Sequence, residues 1–191
     1  ILKAGFHTGA AHKKRLCNEG THYKYGDNGD NNRLRYFKNG PKYFFQILYN
    51  IYEMNGVFNP EKIKLIVGLG NPGSDYKDTY HNAGFMAIDY LSGNAPDSDW
   101  RRSKKISYLK TNGFIFIKPE EFMNGSGNAV KEALKYFKSK RSELLLVHDD
   151  SDLESGKWKL SFGRGAAGHR GVESAIASLN SPDFWRARIG V

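Results

Sequence analysis

Three histidines, His81, His148 and His169, stand in polar, glycine-containing joints of the chain, and Asp149 directly follows the apolar run Leu144 to Val147. An imidazole beside an ionised carboxylate is a general base suited to neutral pH. The carboxylate orients the ring and stabilises the imidazolium that forms when it takes a proton. His81 shares a strand-to-helix connection with Asn71, and in α/β sheets ligands gather at the carboxyl ends of strands. Asn71, Asn124 and Asp149 are therefore expected to converge on one crevice with His81. Asn124, in Phe122-Met123-Asn124-Gly125-Ser126-Gly127, reads equally as turn chemistry or as an amide donor to a substrate carbonyl, with Phe122 and Met123 as an apolar wall beside it.

Competing chemistries fit these residues less well. A metal site would draw on His81, His148, Asp149, Asp150, Asp152 and His169, but their spacing matches no compact ligand signature such as H-E-x-x-H. A serine nucleophile would need a G-x-S-x-G elbow, which is lacking. Gly68-Leu69-Gly70-Asn71-Pro72-Gly73 fits G-x-G-x-x-G, and so does Gly163-Arg164-Gly165-Ala166-Ala167-Gly168. Two matches in one chain show how permissive that pattern is. Asp89, at a plausible distance for a ribose contact, falls in a predicted helix, and Pro72 removes an N–H from the turn that would cradle a pyrophosphate. The sequence has no P-loop, and no organic cofactor is expected.

The elements that must position these groups are legible from Ile63 onward. Ile63 to Val67 and Leu144 to Val147 read as buried strands, and Asn82 to Leu91 as a helix with Phe85, Ile88 and Leu91 on one face. Ile106 to Lys110 and Phe114 to Lys118 flank Thr111-Asn112-Gly113, a hairpin signal. Ser126 is expected to cap a helix carrying Ala129, Val130, Ala133, Leu134 and Phe137 at helical spacing. Trp158 to Phe162 reads as a strand, Gly171 to Leu179 as a helix and Ala187 to Val191 as a last strand. Strands alternating with helices of this length predict an α/β domain: a mixed, largely parallel twisted sheet flanked by helices in three layers.

The chain has 191 residues, 39% hydrophobic and 26% charged, as in an ordinary globular protein. Its apolar runs are far short of the roughly 20 residues that cross a bilayer, so no membrane span is expected. The single cysteine, Cys17, excludes an internal disulfide framework and a cysteine-based zinc cage, and points to a reduced, cytoplasmic setting. The net charge of +9 is uneven: residues 1–53 hold 9 Lys and Arg against 4 Asp and Glu, and residues 54–191 hold 20 against 16. That balance is compatible with a polyanionic partner. Residues 1–53 show no sustained period of 2 or 3.6 and are expected to be a poorly structured extension, disordered or foreign to the domain at 54–191.

Taken together, Lys64 to Gly73, Tyr76 with Thr79 to Phe85, Lys118-Pro119, Phe122 to Gly127, His148 to Leu153, Gly168 to Gly171 and Phe184 to Gly190 resemble, in order, the bacterial-type peptidyl-tRNA hydrolase family. The resemblance covers about residues 63 to 191. It implies hydrolysis of the ester joining a peptide to the terminal ribose of tRNA, without metal or cofactor, by a cytoplasmic, monomeric enzyme that recycles tRNA for translation. On this reading His81 is the base that activates water and Asp149 orients its ring. Asn71 helps distinguish N-blocked from free aminoacyl-tRNA, Asn124 donates to the peptide carbonyl, and Met123 and Phe122 are its walls. Tyr76 holds the tRNA end.

Some positions depart from the family's pattern. Tyr80 stands where Arg is usual, Ser151 and Glu154 replace common Leu and Pro, and Arg170 replaces Asn after Gly-His. A guanidinium donates hydrogen bonds but accepts none. Arg170 therefore stays a substrate-binding candidate, with added charge. Arg164, Arg186, Arg188 and Lys159 are the candidates for tRNA phosphates, with the run Arg101 to Lys105 as outliers. The family continues past the last strand, so truncation at the C-terminus is expected. The alternative to a hydrolase is a non-catalytic RNA-binding protein on the same scaffold.

Overall fold

The computed structural model of the chain describes residues 62–111 and 113–191. The expectation of a poorly structured extension over residues 1–53 lies outside the described residues. Among the described residues the sheet has seven strands: β1 (Leu65–Gly68), β2 (Arg101–Ser103), β3 (Ile106–Thr111), β4 (Phe114–Pro119), β5 (Leu144–Asp150), β6 (Trp158–Phe162) and β7 (Trp185–Gly190). Its order is β2-β3-β4-β1-β5-β7-β6. The central run β4-β1-β5-β7 is parallel, and the edges β2, β3 and β6 are antiparallel to their neighbours. β1 and β5 are buried along their whole length, which is why both read as unbroken apolar runs.

Side chains of β1 alternate between two cores. Leu65 and Val67 join Leu144 and Leu146 of β5 against α2 (Ser126–Tyr136) and α3 (Arg170–Leu179), whose Ala129, Val130, Ala133, Val172 and Ala175 are buried there. Ile66, Phe116, Leu145 and Val147 face the other way, against Ala87 and Ile88 of α1 (Ala83–Leu91). The result is the expected three-layer, mixed α/β arrangement.

Differences from expectation have physical causes. The basic run Arg101 to Ser103 is a strand, β2, at the edge of the sheet formed by the described residues, where it pairs with β3, and charged side chains suit an edge that must not recruit further strands. Ser126 does not cap α2: it is the first helical residue, Gly125 precedes it, and its buried hydroxyl has no hydrogen-bond partner. α3 carries the cap instead. The His169 side chain accepts from the N–H groups of Gly171 and Val172.

One close approach decides how the site forms. A Cβ on Gly84 would lie 2.3 Å from the Leu69 carbonyl oxygen and 2.4 Å from that of Val147, and one on Gly68 would lie 2.3 Å from the Gly84 oxygen. α1 therefore begins in backbone contact with the ends of β1 and β5. Gly68, the first glycine of the G-x-G-x-x-G match, is thus accounted for by packing, with no phosphate required.

Candidate active site

Two residues before that close approach ends the short 3-10 turn Tyr80–Asn82, which leads into α1. Seating α1 on β5 brings His81 of this turn over Asp149, near the carboxyl end of the strand. His81 Nδ1 lies 2.7 Å from Asp149 Oδ2, with the imidazole side chain 74% exposed and the carboxylate 6% exposed. The other carboxylate oxygen, Oδ1, lies 2.8 Å from His169 Nε2. Burial pushes the Asp149 pKa up, but the hydrogen bond from His169, joined by that from His81, outweighs it and holds the carboxyl below the usual range. Asp149 is thus ionised at neutral pH, and its acceptance of the His81 Nδ1–H leaves Nε2 of an open ring as a free base.

The Asn71 turn is tied to the same place by the next residue along. Asn82 is buried, and its side chain accepts from the Asn71 N–H at 2.7 Å and donates to the Asn71 carbonyl at 3.0 Å. The Asn71 amide is oriented in turn, because its Oδ1 accepts the Met123 N–H at 2.8 Å. That bond assigns the amide and leaves Nδ2 as the outward donor. Met123 closes the ring of contacts at the start of α3, where its Sδ lies 2.4 Å from the position of a Cβ on Gly171. Tyr76 and Phe122 meet edge to face at 6.0 Å, and both rings are exposed, as is Tyr80.

His148 lies behind this front and is buried, with its ring 4.6 Å from that of His169 in an edge-to-face contact. Its Nδ1–H donates to the Asp149 carbonyl at 2.6 Å. Burial, with the Arg186 charge in support, pushes its pKa down to about 3. The unfolded ring binds its proton near pH 6.5 and the folded one does not until about 3, so protons favour the unfolded state between those values. Stability from this group is complete above about pH 6.5 and falls by about 1.4 kcal/mol for each unit below it. We expect a loss of about 2 kcal/mol between pH 6.5 and pH 5, read as a lower urea midpoint. His148→Asn, which keeps a donor for the Asp149 carbonyl, should flatten that dependence. An equal slope in both proteins would contradict the assignment.

The family model described as peptidyl-tRNA hydrolase matches residues 65–191. The chain belongs to the peptidyl-tRNA hydrolase family. It is 44% identical over 133 residues to the peptidyl-tRNA hydrolase of Desulforudis audaxviator, covering 68% of each chain. It is 38% identical over 133 residues to that of Mycoplasma capricolum subsp. capricolum, covering 68% of this chain and 72% of the relative. The crystal structure of the Acinetobacter baumannii peptidyl-tRNA hydrolase superposes with a TM-score of 0.60 at 31% identity over 70% of each chain.

Among the residues expected from sequence to form the site, His81 and Asp149 are in direct contact, and Asn71, Met123, Phe122 and Tyr76 are linked around them. Asn124 is exposed in the turn Met123–Gly125 that precedes α2. Arg170 is exposed as the first residue of α3.

The basic candidates divide. Arg164 and Lys159 are exposed. Arg188 is largely covered and pairs through Nε with Asp150. Arg186 corrects the expectation of a surface phosphate contact. It is 2% exposed, and its guanidinium donates to the Arg164 and Gly165 carbonyls at 3.1 and 2.9 Å. Strand alternation puts it in line with Leu146, so it faces the interior and anchors the loop before α3.

The outlying run is also engaged, with Arg102, Lys104 and Lys105 facing Glu120, Glu132 and Glu121 at 3.6, 3.5 and 2.5 Å. Among the described residues, no group of three or more His, Cys, Asp or Glu is placed to hold a metal ion, and no helix is long and apolar enough to cross a membrane.

The sequence names His169 among the joint histidines, the possible metal ligands and the family-like run Gly168 to Gly171, and assigns it no part in orienting the base. The available signal was its position just before a helical run, where an N-cap side chain is wanted.

Proposed function

We propose that this chain hydrolyses the ester joining a peptide to the terminal ribose of peptidyl-tRNA, recycling the tRNA for translation. The observation that carries this reading is the pairing of Asp149 with His81 Nδ1, which leaves Nε2 of an exposed imidazole to take a proton from water. The water attacks the acyl carbon as the proton moves to Nε2. The tetrahedral intermediate then collapses, expelling the ribose oxygen, which takes its proton back from the imidazolium. Asn71 Nδ2 and the Asn124 amide are the donors for the acyl group and its developing oxyanion. The exposed rings of Tyr76 and Phe122 offer stacking surface to the unpaired end of the tRNA or to the peptide. A protein that only bound RNA would have no chemical use for the base and its orienting carboxylate together. We place the activity in the cytoplasm, in keeping with the single cysteine, and on a monomer, since one chain supplies every group named.

The test compares an N-acetylated aminoacyl-tRNA with the same tRNA bearing a free amino group. Cleavage of the blocked ester in preference to the free one is expected, and equal rates or no cleavage would contradict the reading. Among the basic residues, Arg164 is exposed and its backbone is held by Arg186, so it is our phosphate contact. Arg164→Ala should weaken tRNA binding and lower the slope of log affinity against log salt by about one unit, with kcat retained. An unchanged slope would remove Arg164 from the interface.

A further inference from the structure

His169 makes two sets of hydrogen bonds that together permit one ring state. Its Nδ1 accepts the N–H groups of Gly171 at 3.1 Å and Val172 at 3.3 Å at the start of α3. That nitrogen therefore carries no proton, and the ring hydrogen is on Nε2, which donates to Asp149 Oδ1. A ring flip would put carbon atoms where both bonds are made. The side chain is 12% exposed, the His148 ring braces it edge to face, and its Cε1 lies 3.2 Å from where a Gly171 Cβ would be. His81, by contrast, has 74% of its side chain in solvent, and Asp149 is its one hydrogen-bond partner among the described residues. An open ring is only as well placed as the carboxylate that holds it.

We propose that His169 is a positioning residue for the reaction, using the first turn of α3 to lock a tautomer that aims the Asp149 carboxylate at His81. The inference rests on the hydrolase reading above. It goes beyond it by assigning the rigidity of the base to a residue that need not touch the substrate. The ionisable groups that act on Asp149 are His81 from the turn before α1, His169 from the start of α3, and its strand neighbour His148. Arg186 and Arg188 of β7 stand beside Leu146 and His148 in the register, and Arg188 is engaged by Asp150. The two imidazoles are thus the polar side chains that hold the carboxylate.

Two substitutions separate this role from helix capping. His169→Asn keeps an acceptor where Nδ1 stands, so α3 stays capped, but it is too short to reach Asp149. His169→Gln places an amide N–H near Nε2 and loses the cap. For the Asn variant we expect kcat to fall by about 10- to 100-fold with KM unchanged. The acid limb of kcat/KM should also move to higher pH, because a carboxylate relieved of one donor attracts the His81 imidazolium more strongly. For the Gln variant we expect a lower unfolding midpoint with most of kcat retained. An Asn variant with wild-type kcat and pH profile, or a folded Gln variant as slow as the Asn variant, would overturn the proposal. If the Asn variant does not fold, the Gln variant decides alone, since retained kcat supports positioning and lost kcat refutes it. A wild-type protein that leaves blocked aminoacyl-tRNA intact would overturn the hydrolase reading and this inference together. Wild-type turnover matched by the Asn variant would overturn this inference only.

Discussion

His81→Ala is expected to lower kcat on N-acetylated aminoacyl-tRNA by about a thousandfold, roughly 4 kcal/mol of transition-state stabilisation, while tRNA affinity stays within a few-fold. The size of the effect follows from what the ring alone supplies. Among the described residues no other imidazole is free to act as the base, since His169 has both nitrogens engaged and His148 is buried with its pKa pushed down to about 3. The small effect on binding follows from exposure: 74% of the side chain is in solvent, and among the described residues its one hydrogen bond is to Asp149. Single-turnover cleavage beside a tRNA-binding titration separates the two quantities. A variant with near-wild-type turnover would remove His81 from the mechanism.

Asp149→Asn should be nearly as damaging, for a reason specific to this pair of histidines. His169 presents a proton at Nε2 because α3 occupies its Nδ1, so the new amide must turn its oxygen toward His169. Its NH2 group then faces His81 Nδ1. That nitrogen has to become the acceptor, and the His81 proton moves to Nε2, the atom required as the base. We expect kcat to fall by about 100- to 10,000-fold with the fold retained, since the substitution is isosteric and removes a buried charge. Combining it with His81→Ala should cost little more than either change alone, because the two groups act as a unit. Full additivity of the two losses would show that Asp149 serves some purpose other than preparing His81.

The parts of the fold that could be read ahead were those where one period dominates. The unbroken apolar runs of β1 and β5, the hairpin around Gly113 and the helical spacing of Ala129, Val130, Ala133 and Leu134 all correspond to elements of the structure. Tertiary context decided the rest. Arg101 to Ser103 has no strand pattern of its own and becomes β2 because β3 offers it a free edge. Arg186 read as a surface cation because arginines seldom go inside. Its place in the parallel register beside Leu146 buries it, and only the Arg164 and Gly165 carbonyls, brought near by the fold, make that tolerable.

The site divides in the same way. His81 and Asp149 were legible because each adjoins an element end where ligands collect, whereas Asn82 was not singled out. Asn82 acts only by bridging the backbone of Asn71, 11 residues away in the chain, and no spacing rule signals such a contact.

The most direct test of the central claim is single-turnover cleavage of N-acetylated aminoacyl-tRNA by this chain in water enriched in oxygen-18. Attack by a water that His81 activates at the acyl carbon predicts one labelled oxygen in the carboxyl group of the released N-acetyl amino acid and none in the ribose of the tRNA. The rate should fall by the same large factor in His81→Ala. Label in the ribose, or release that does not depend on His81, would contradict the account.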